Sequence, residues 1–549
     1  MTDSSILRNS IVPALETVRR KSTVMALAVA LSACGGGGSE PQLAAANSIS
    51  GGNSQLLESV GGNVNRVSLN SKSAFSDDEI RHFLSRTHFG IERGKTEEIQ
   101  RIGLSVYIDE MMDYAAPDSR IFEDEARSLL LNDGDPAGLE GKFPGSSDVV
   151  EWNIYLLMNN PNAFQEVMGM FWQDHFGVDF VGFRSDEDHL MIDFINMLRE
   201  RGVGNFRDLM VDVSRHGAML LFLDGADNSK FAPNENFARE FWELFSFGVD
   251  NGYTEEDIIE SSRAFTGWRR NKNPVTGLTR LVFDPESKAI GSKQPLKNVI
   301  DHDLSQDDYS KMVDLTMAQS GAGGKDLVAV FLAEKLLRHF VSENPDPALV
   351  DEFASVLRQN RLNLAPALKS LFLSEAFYSD MAREGLVRDY FEQVVGLVRT
   401  TGMTETNGQY RRYLTEMGSI PSRPPSVEGW PEGDDKISSQ SSGVELPNFV
   451  NELISNRTNQ ENDGYDIGAA LQPAGATGAP EVIDHVAMLL GVSLESGERA
   501  RLIEFMNTEV DSDGVETPVN YTPQNTSHQS RKLRNLVWII CQHPDFQIK

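Results

Sequence analysis

Three groups of residues in this 549-residue chain combine types and spacings that could do chemistry. The first lies in Asn234-Glu235-Asn236-Phe237-Ala238-Arg239-Glu240-Phe241-Trp242-Glu243-Leu244-Phe245. On a helix, at about 100° per residue, Glu235, Arg239 and Glu243 stack at i, i+4 and i+8, and Asn236 and Glu240 widen that polar face. Glu235, Glu240 and Glu243 around one guanidinium are suited to acid–base work or to holding a cation, with Arg239 as their anchor. The same spacing also makes a solvated Glu-Arg-Glu ladder, worth about 0.2–0.5 kcal/mol per pair. The second group is Asp174-His175 in Phe171-Trp172-Gln173-Asp174-His175-Phe176-Gly177. A carboxylate beside an imidazole can move a proton or bind a metal. Equally, His175 in a last turn complements the helix dipole while the aromatic residues form a core stripe. The third group is Asp511 and Asp513, which with Glu509 and Gly514 follow the opening of a calcium loop. The closing position of such a loop is Asn520 instead of Glu, so the ligand set is incomplete.

No H-E-x-x-H, no G-x-S-x-G elbow and no phosphate-binding glycine loop occurs in the chain. The sequence therefore names no recognised reaction and no cofactor.

The elements that must carry these groups are helices. Apolar residues recur at helical spacing through 96–115, 149–158, 163–176, 187–201, 206–222, 235–247 and 255–268. The pattern continues through 327–341, 347–358, 365–373 and 390–400. Ser76 before Asp77-Asp78-Glu79 reads as an N-cap with acids in the first turn. Asn234 caps the Glu-Arg-Glu helix, and Thr254 with Asp257 forms a capping box for the next. Strand-like alternation is confined to a minor hairpin around 277–283. The expected fold is mainly α, one large multi-helix body with a minor β hairpin. A Pro/Gly-rich loop at 419–435 leads to a C-terminal helical part from about residue 436.

The N-terminus reads as an address. Arg19, Arg20 and Lys21 precede the apolar run 24–31, which ends in Leu31-Ser32-Ala33-Cys34-Gly35. Basic flank, short apolar run and small residues make a secretory signal over residues 1–33, too short to span a bilayer permanently. Leu-Ser-Ala-Cys resembles a lipoprotein cleavage box, which implies acylation of Cys34 and stable membrane anchoring by several acyl chains. Gly35 in place of Asp favours the outer over the inner membrane. Residues 34–73 read as a flexible tether, since positions 35–73 hold eight Gly, eight Ser and five Asn. The body is then 74–549. Cys541, in an apolar stretch, reads as a buried thiol.

With 81 acidic and 50 basic residues the net charge is −31, which excludes a phosphate-backbone binder and leaves nucleic acid out of the partner list.

Several of these segments together resemble one bacterial family, called domain of unknown function 1800. The likeness rests on Asn234–Glu240, Gly248-Val249-Asp250, Gly252-Tyr253-Thr254 and Arg263-Ala264-Phe265-Thr266-Gly267-Trp268. His82–Gly90, Phe171–Phe176, Gly204–Leu209, Ala218–Asp224, Pro424–Pro431 and Pro544–Gln547 resemble it in order, over roughly 75–547. The resemblance implies one large helical unit and brings no established reaction. It also implies an envelope pathway shared with a secreted family related to sulfatases and alkaline phosphatases. Where members often read Trp-His-Asn-His-Phe, this chain has Trp172-Gln173-Asp174-His175-Phe176, so a two-histidine metal site would lose a ligand. A His-Asp pair of the family is replaced by Ser287-Lys288.

Two functions follow as expectations. One is a cell-envelope lipoprotein that binds or helps assemble a secreted protein or polymer. The other is a hydrolase-like enzyme whose polar centre joins Glu235, Arg239 and Glu240 to Asp174 and His175. Convergence of these five in one concave pocket would favour the enzyme, and a solvent-facing helix would count against it.

Overall fold

Local signals set the helix ends. Ser76 Oγ accepts from Glu79 N–H at 3.2 Å while Glu79 Oε2 accepts from Ser76 N–H at 2.9 Å, opening the helix Asp77–Thr87 with a capping box. Thr254 and Asp257 do the same before Glu255–Ala264. Asn234 Oδ1 accepts from Asn236 N–H at 2.9 Å where Asn236–Glu243 begins. Gly177, at φ 54°, stops Ala163–Phe176 in the left-handed conformation that glycine adopts without strain.

The computed structural model describes residues 68–114, 122, 145–300, 307–383, 385–404, 409–437, 442–456, 460, 464–510 and 513–549. Over these the protein is mainly helical, with two small antiparallel two-stranded sheets. Trp268–Lys272 pairs with Thr279–Phe283 in the register Trp268↔Phe283 to Lys272↔Thr279. The expected hairpin thus gains a strand where the periodicity had carried a helix on to 268. Gly267, at φ 113° and pressed against the Phe283 ring, makes the break. Two other periodic stretches are also divided. Gly103, at φ 90°, separates Lys95–Ile102 from Leu104–Met111, and extended His216 separates Phe206–Arg215 from Gly217–Phe222.

The chain forms two compact units. One comprises 67–503 with 521–549 and carries the main core. The other, described over 504–510 and 513–520, includes the hairpin of Thr508–Val510 with Glu516–Pro518. Residues 68–72, read as the end of the tether, are bonded to the large unit. Lys72 N–H donates to Leu373 O, and the amides of Glu375 and Ala376 donate to Asn70 O and Ser68 O. Cys541 is buried, as its surroundings implied.

Edge-to-face aromatic pairs dominate the core. Phe83, Phe164, Phe340, Phe372 and Phe377 form one cluster and Trp172, Phe176, Phe206 and Phe245 another. One ion pair crosses between the Ala163–Phe176 and His189–Arg201 helices. Arg199 donates to Glu166 through Nε at 2.8 Å and Nη2 at 2.6 Å, with each side chain 1% exposed. Gly169 makes room for it, since a Cβ there would lie 2.9 Å from Arg199 Cγ.

Removing one partner of such a pair leaves an uncompensated buried charge, a loss of about 3–5 kcal/mol. Glu166→Leu should therefore lower the unfolding free energy by that amount in urea titrations. Adding Arg199→Met should recover much of it; a double variant as weak as the single one would contradict this account.

Candidate functional site

The end of the Ala163–Phe176 helix and the loop around 419–437 close upon each other. Trp430 N–H donates to Asp174 Oδ1 at 2.7 Å across 256 positions of sequence. Glycine is required on both sides of the contact. A Cβ on Gly429, at φ 101°, would strike the Asp174 carboxylate, and one on Gly177 would strike the Val427 carbonyl. Facing them, Asp389 caps the helix Tyr390–Thr401: its Oδ1 accepts from Phe391 N–H at 3.1 Å and from the Ser419 hydroxyl. Glu392 Oε2 accepts from Asp389 N–H at 2.9 Å, completing a capping box inside the protein.

Between these groups lies a cavity of about 80 Å³, whose walls include Phe171, Asp174, Lys335, His339, Asp389 and Trp430. Burial pushes Asp174 up to about 6, against the opposing pull of the Trp430 N–H and the charges of Lys335 and Lys436. Asp389 is pushed up to about 7 by burial and by the negative charge of Glu392, with Asp174 adding to it. Burial acts on Glu392 in the same sense, but Lys549 and Lys436 outweigh it and hold the carboxyl at about 2. Burial brings His339 down to about 3, so its imidazole is neutral. The site thus holds a permanently charged carboxylate beside two that exchange protons near neutrality. Such a pair can divide the roles of proton donor and acceptor. Three polar atoms in this cluster, His339 Nε2, Glu343 Oε1 and Trp430 Nε1, are buried without a hydrogen-bond partner among the described residues.

Of the sequence candidates among the described residues, the structure brings only Asp174 into this cavity. His175 lies one residue on, about 100° around the helix, and its Nε2 meets Phe245 O at 3.1 Å within the aromatic cluster. Burial lowers it to about 3. Arg239 lies 3.5 Å from both Glu235 and Glu243 and bonds Glu255, whose side chain is 65% exposed. The Glu-Arg-Glu spacing therefore produces a ladder at the surface. Glu240 is half-buried and raised, by burial first and then by Glu243, while Arg239 lowers it; Glu428, in the same loop as Trp430, raises it further. Cys34 and Asp511 lie outside the described residues, and Asp513 occupies an exposed turn. Among the described residues no group of three or more His, Cys, Asp or Glu is arranged to hold a metal.

Sequence reasoning missed Asp389, Glu392, His339, Lys335 and Glu343. The signal available was Asp389-x-x-Glu392, a capping box before the periodic stretch that opens at Tyr390. The same four-residue pattern occurs at surface helices, so it marks a helix start without saying what surrounds it.

Residues 82–548 match the family described as Protein of unknown function (DUF1800), and the chain belongs to that family. No curated protein and no solved structure matches it.

The raised carboxyls give stability a defined pH dependence. Between about pH 4, where free Asp titrates, and pH 7, the folded chain keeps protons that the unfolded chain has released. Stability from these groups is therefore complete below about pH 4 and declines as pH rises through 6 to 7. Glu392 has the opposite sign, and its window lies between about 2 and 4.3. Asp389→Asn keeps the capping oxygen and removes the titration. Its urea midpoint relative to wild type should rise between pH 4 and 7, and a difference that stays flat across that range would refute the assignment.

Proposed function

We propose that this family member is a lipoprotein of the cell envelope, anchored through acylated Cys34 and sorted to the outer membrane. Its body binds or helps assemble a secreted protein or polymer, using the Asp174–Asp389 cavity as the point of contact. The signal, the Leu31-Ser32-Ala33-Cys34 order and the Gly/Ser/Asn-rich stretch support the anchor. Among the described residues no helix is long and apolar enough to cross a membrane.

The observation that carries the binding reading is the cavity. Pockets that enclose a whole small ligand measure about 300–1,000 Å³, whereas this one is about 80 Å³ and carries unpaired donors and acceptors. A space of that size admits one polar group, such as an amide, hydroxyl or amine at the end of a side chain or sugar. A secreted protein of the sulfatase- and phosphatase-related class is the first partner to test. Nucleic acid is not a candidate for so acidic a chain. The coupled carboxyls Asp174 and Asp389 favour a second reading, a hydrolase-like enzyme in which they exchange a proton with substrate.

Two measurements test these readings. Cys34→Ser should move the protein from the membrane fraction to the soluble fraction, and continued sedimentation with membranes would remove the anchor. Asp174→Asn and Asp389→Asn should each weaken partner capture from envelope extracts about tenfold or more, the worth of one charge-assisted hydrogen bond. Capture unchanged in both variants would dismiss the cavity as the contact point. Turnover of an ester or glycoside by wild type, abolished in both, would establish the hydrolase reading instead.

A further inference from the structure

A second recess lies elsewhere in the large unit, and its chemistry is opposite in sign. The cleft is open, measures about 340 Å³, and is lined by Asn205, Arg207, Asp326, Arg358 and Arg361 with Met317 and Leu362. Two of these residues are helix caps. Asn205 opens Phe206–Arg215, its Oδ1 accepting from Arg207 N–H at 3.0 Å, and Asp326 opens Leu327–Phe340, its Oδ1 accepting from Ala329 N–H at 3.0 Å. A third helix, Leu364–Phe372, begins just beyond Leu362. The wall is fixed by the backbone. Phe206 N–H donates to Leu362 O at 3.0 Å, Leu364 N–H to Gly204 O at 3.0 Å, and Asn205 Nδ2 to Arg361 O at 2.8 Å.

Three guanidiniums and one carboxylate face this cleft in a chain whose net charge is −31. Arg207 is already engaged, with Nε 2.8 Å from Asp314 Oδ1 and Nη1 3.1 Å from Asp208 Oδ1. Asp326 is committed to its cap. Arg358 and Arg361 are exposed and have no carboxylate partner among the described residues. Unpaired arginines offer planar forks of N–H donors that fit tetrahedral oxyanions. Helix starts add partial positive charge at the same place.

We propose that this cleft binds a ligand bearing a phosphate or sulfate ester, held by Arg358 and Arg361. Its volume lies in the range that encloses a small molecule, so it fits an ester of about sugar size better than a bare ion. The same oxyanion can come from a soluble ester or from the headgroup of an anionic lipid.

The test uses the full chain carrying Cys34→Ser, so that no acyl chain contributes to membrane binding. Inorganic phosphate and inorganic sulfate are titrated calorimetrically, and flotation is measured with phosphatidylglycerol vesicles against phosphatidylcholine vesicles. Saturable binding to at least one oxyanion probe is expected, weakening as salt is raised. Arg358→Gln/Arg361→Asn should reduce it tenfold or more, with Asn chosen because it tolerates the left-handed φ of 53° at position 361. Arg101→Gln, at an equally exposed arginine, should leave it unchanged. Binding to the free ions identifies a soluble ester, and arginine-dependent flotation with phosphatidylglycerol alone identifies a lipid headgroup. If the double variant melts early, Arg358→Gln alone carries the test, with a threefold loss expected. No saturable binding to any probe, or binding that survives these substitutions, overturns the proposal.

Discussion

The hydrogen bond from Trp430 N–H to the Asp174 carboxylate is the constraint on which the candidate site depends. It pins a loop with no regular core of its own to the end of a buried helix, and it works only because Gly177 and Gly429 let two backbones touch. The loop is then held a second time at its other edge. Ser419 bonds Asp389, Tyr390 Oη donates to Ile437 O at 3.0 Å, and Lys436 Nζ donates to Val387 O at 3.3 Å. The loop therefore spans the gap between two helices and roofs the cavity between them. Loss of the Asp174 contact would free one edge and open the cavity to water, which would lower both raised carboxyls at once.

Ionisable groups are gathered around this cavity at a density that most interiors do not carry. They are tolerated in two different ways. Glu392 and Lys549 remain charged and pair at 2.5 Å, while His339 is neutral and Asp174 and Asp389 take up their protons as pH falls through about 7 to 6. Arg86 and Arg388, both buried, interact electrostatically with Glu392. Burial brings Arg86 down to about 9 against the pull of Glu392, and it lowers Arg388 as well. A pair of this kind adds little net stability, because desolvation cancels most of the Coulomb attraction. Its consequence is specificity of arrangement, since misplacing any member leaves another unpaired in a low-dielectric interior.

Much of the fold was legible because it is decided locally. Ser76 with Glu79 and Thr254 with Asp257 are complete within four residues; both caps form where the sequence places them, and Glu79 closes the first into a capping box as well. The candidate site was legible only at Asp174. The Glu235, Arg239 and Glu243 spacing correctly fixes one helix face, and all three side chains interact. Periodicity says which residues share a face, however, and not what covers it. Asp389 and Glu392 present the converse case. Their pattern is as local as that of Ser76 and Glu79, but their chemistry comes from Lys549, Ser419 and Lys436, distant in sequence and adjacent only after folding.

Two buried polar positions are held by bonds within the large unit. Gln173 Oε1 accepts from Asn153 Nδ2 at 3.0 Å while Asn153 also donates to Ser422 Oγ at 2.6 Å. Lys288 is fully buried 3.0 Å from Asp308 Oδ2, an oxygen it shares with Lys293 at 2.9 Å. Both positions are thus committed to internal bonds, and an ammonium between two such neighbours repels a cation instead of ligating one. Gln173 also ties its helix to the loop that carries Trp430, through Asn153 and Ser422. The Gln173 side chain therefore braces the Asp174 contact. The same network thereby helps to hold Asp174 across the cavity from Asp389.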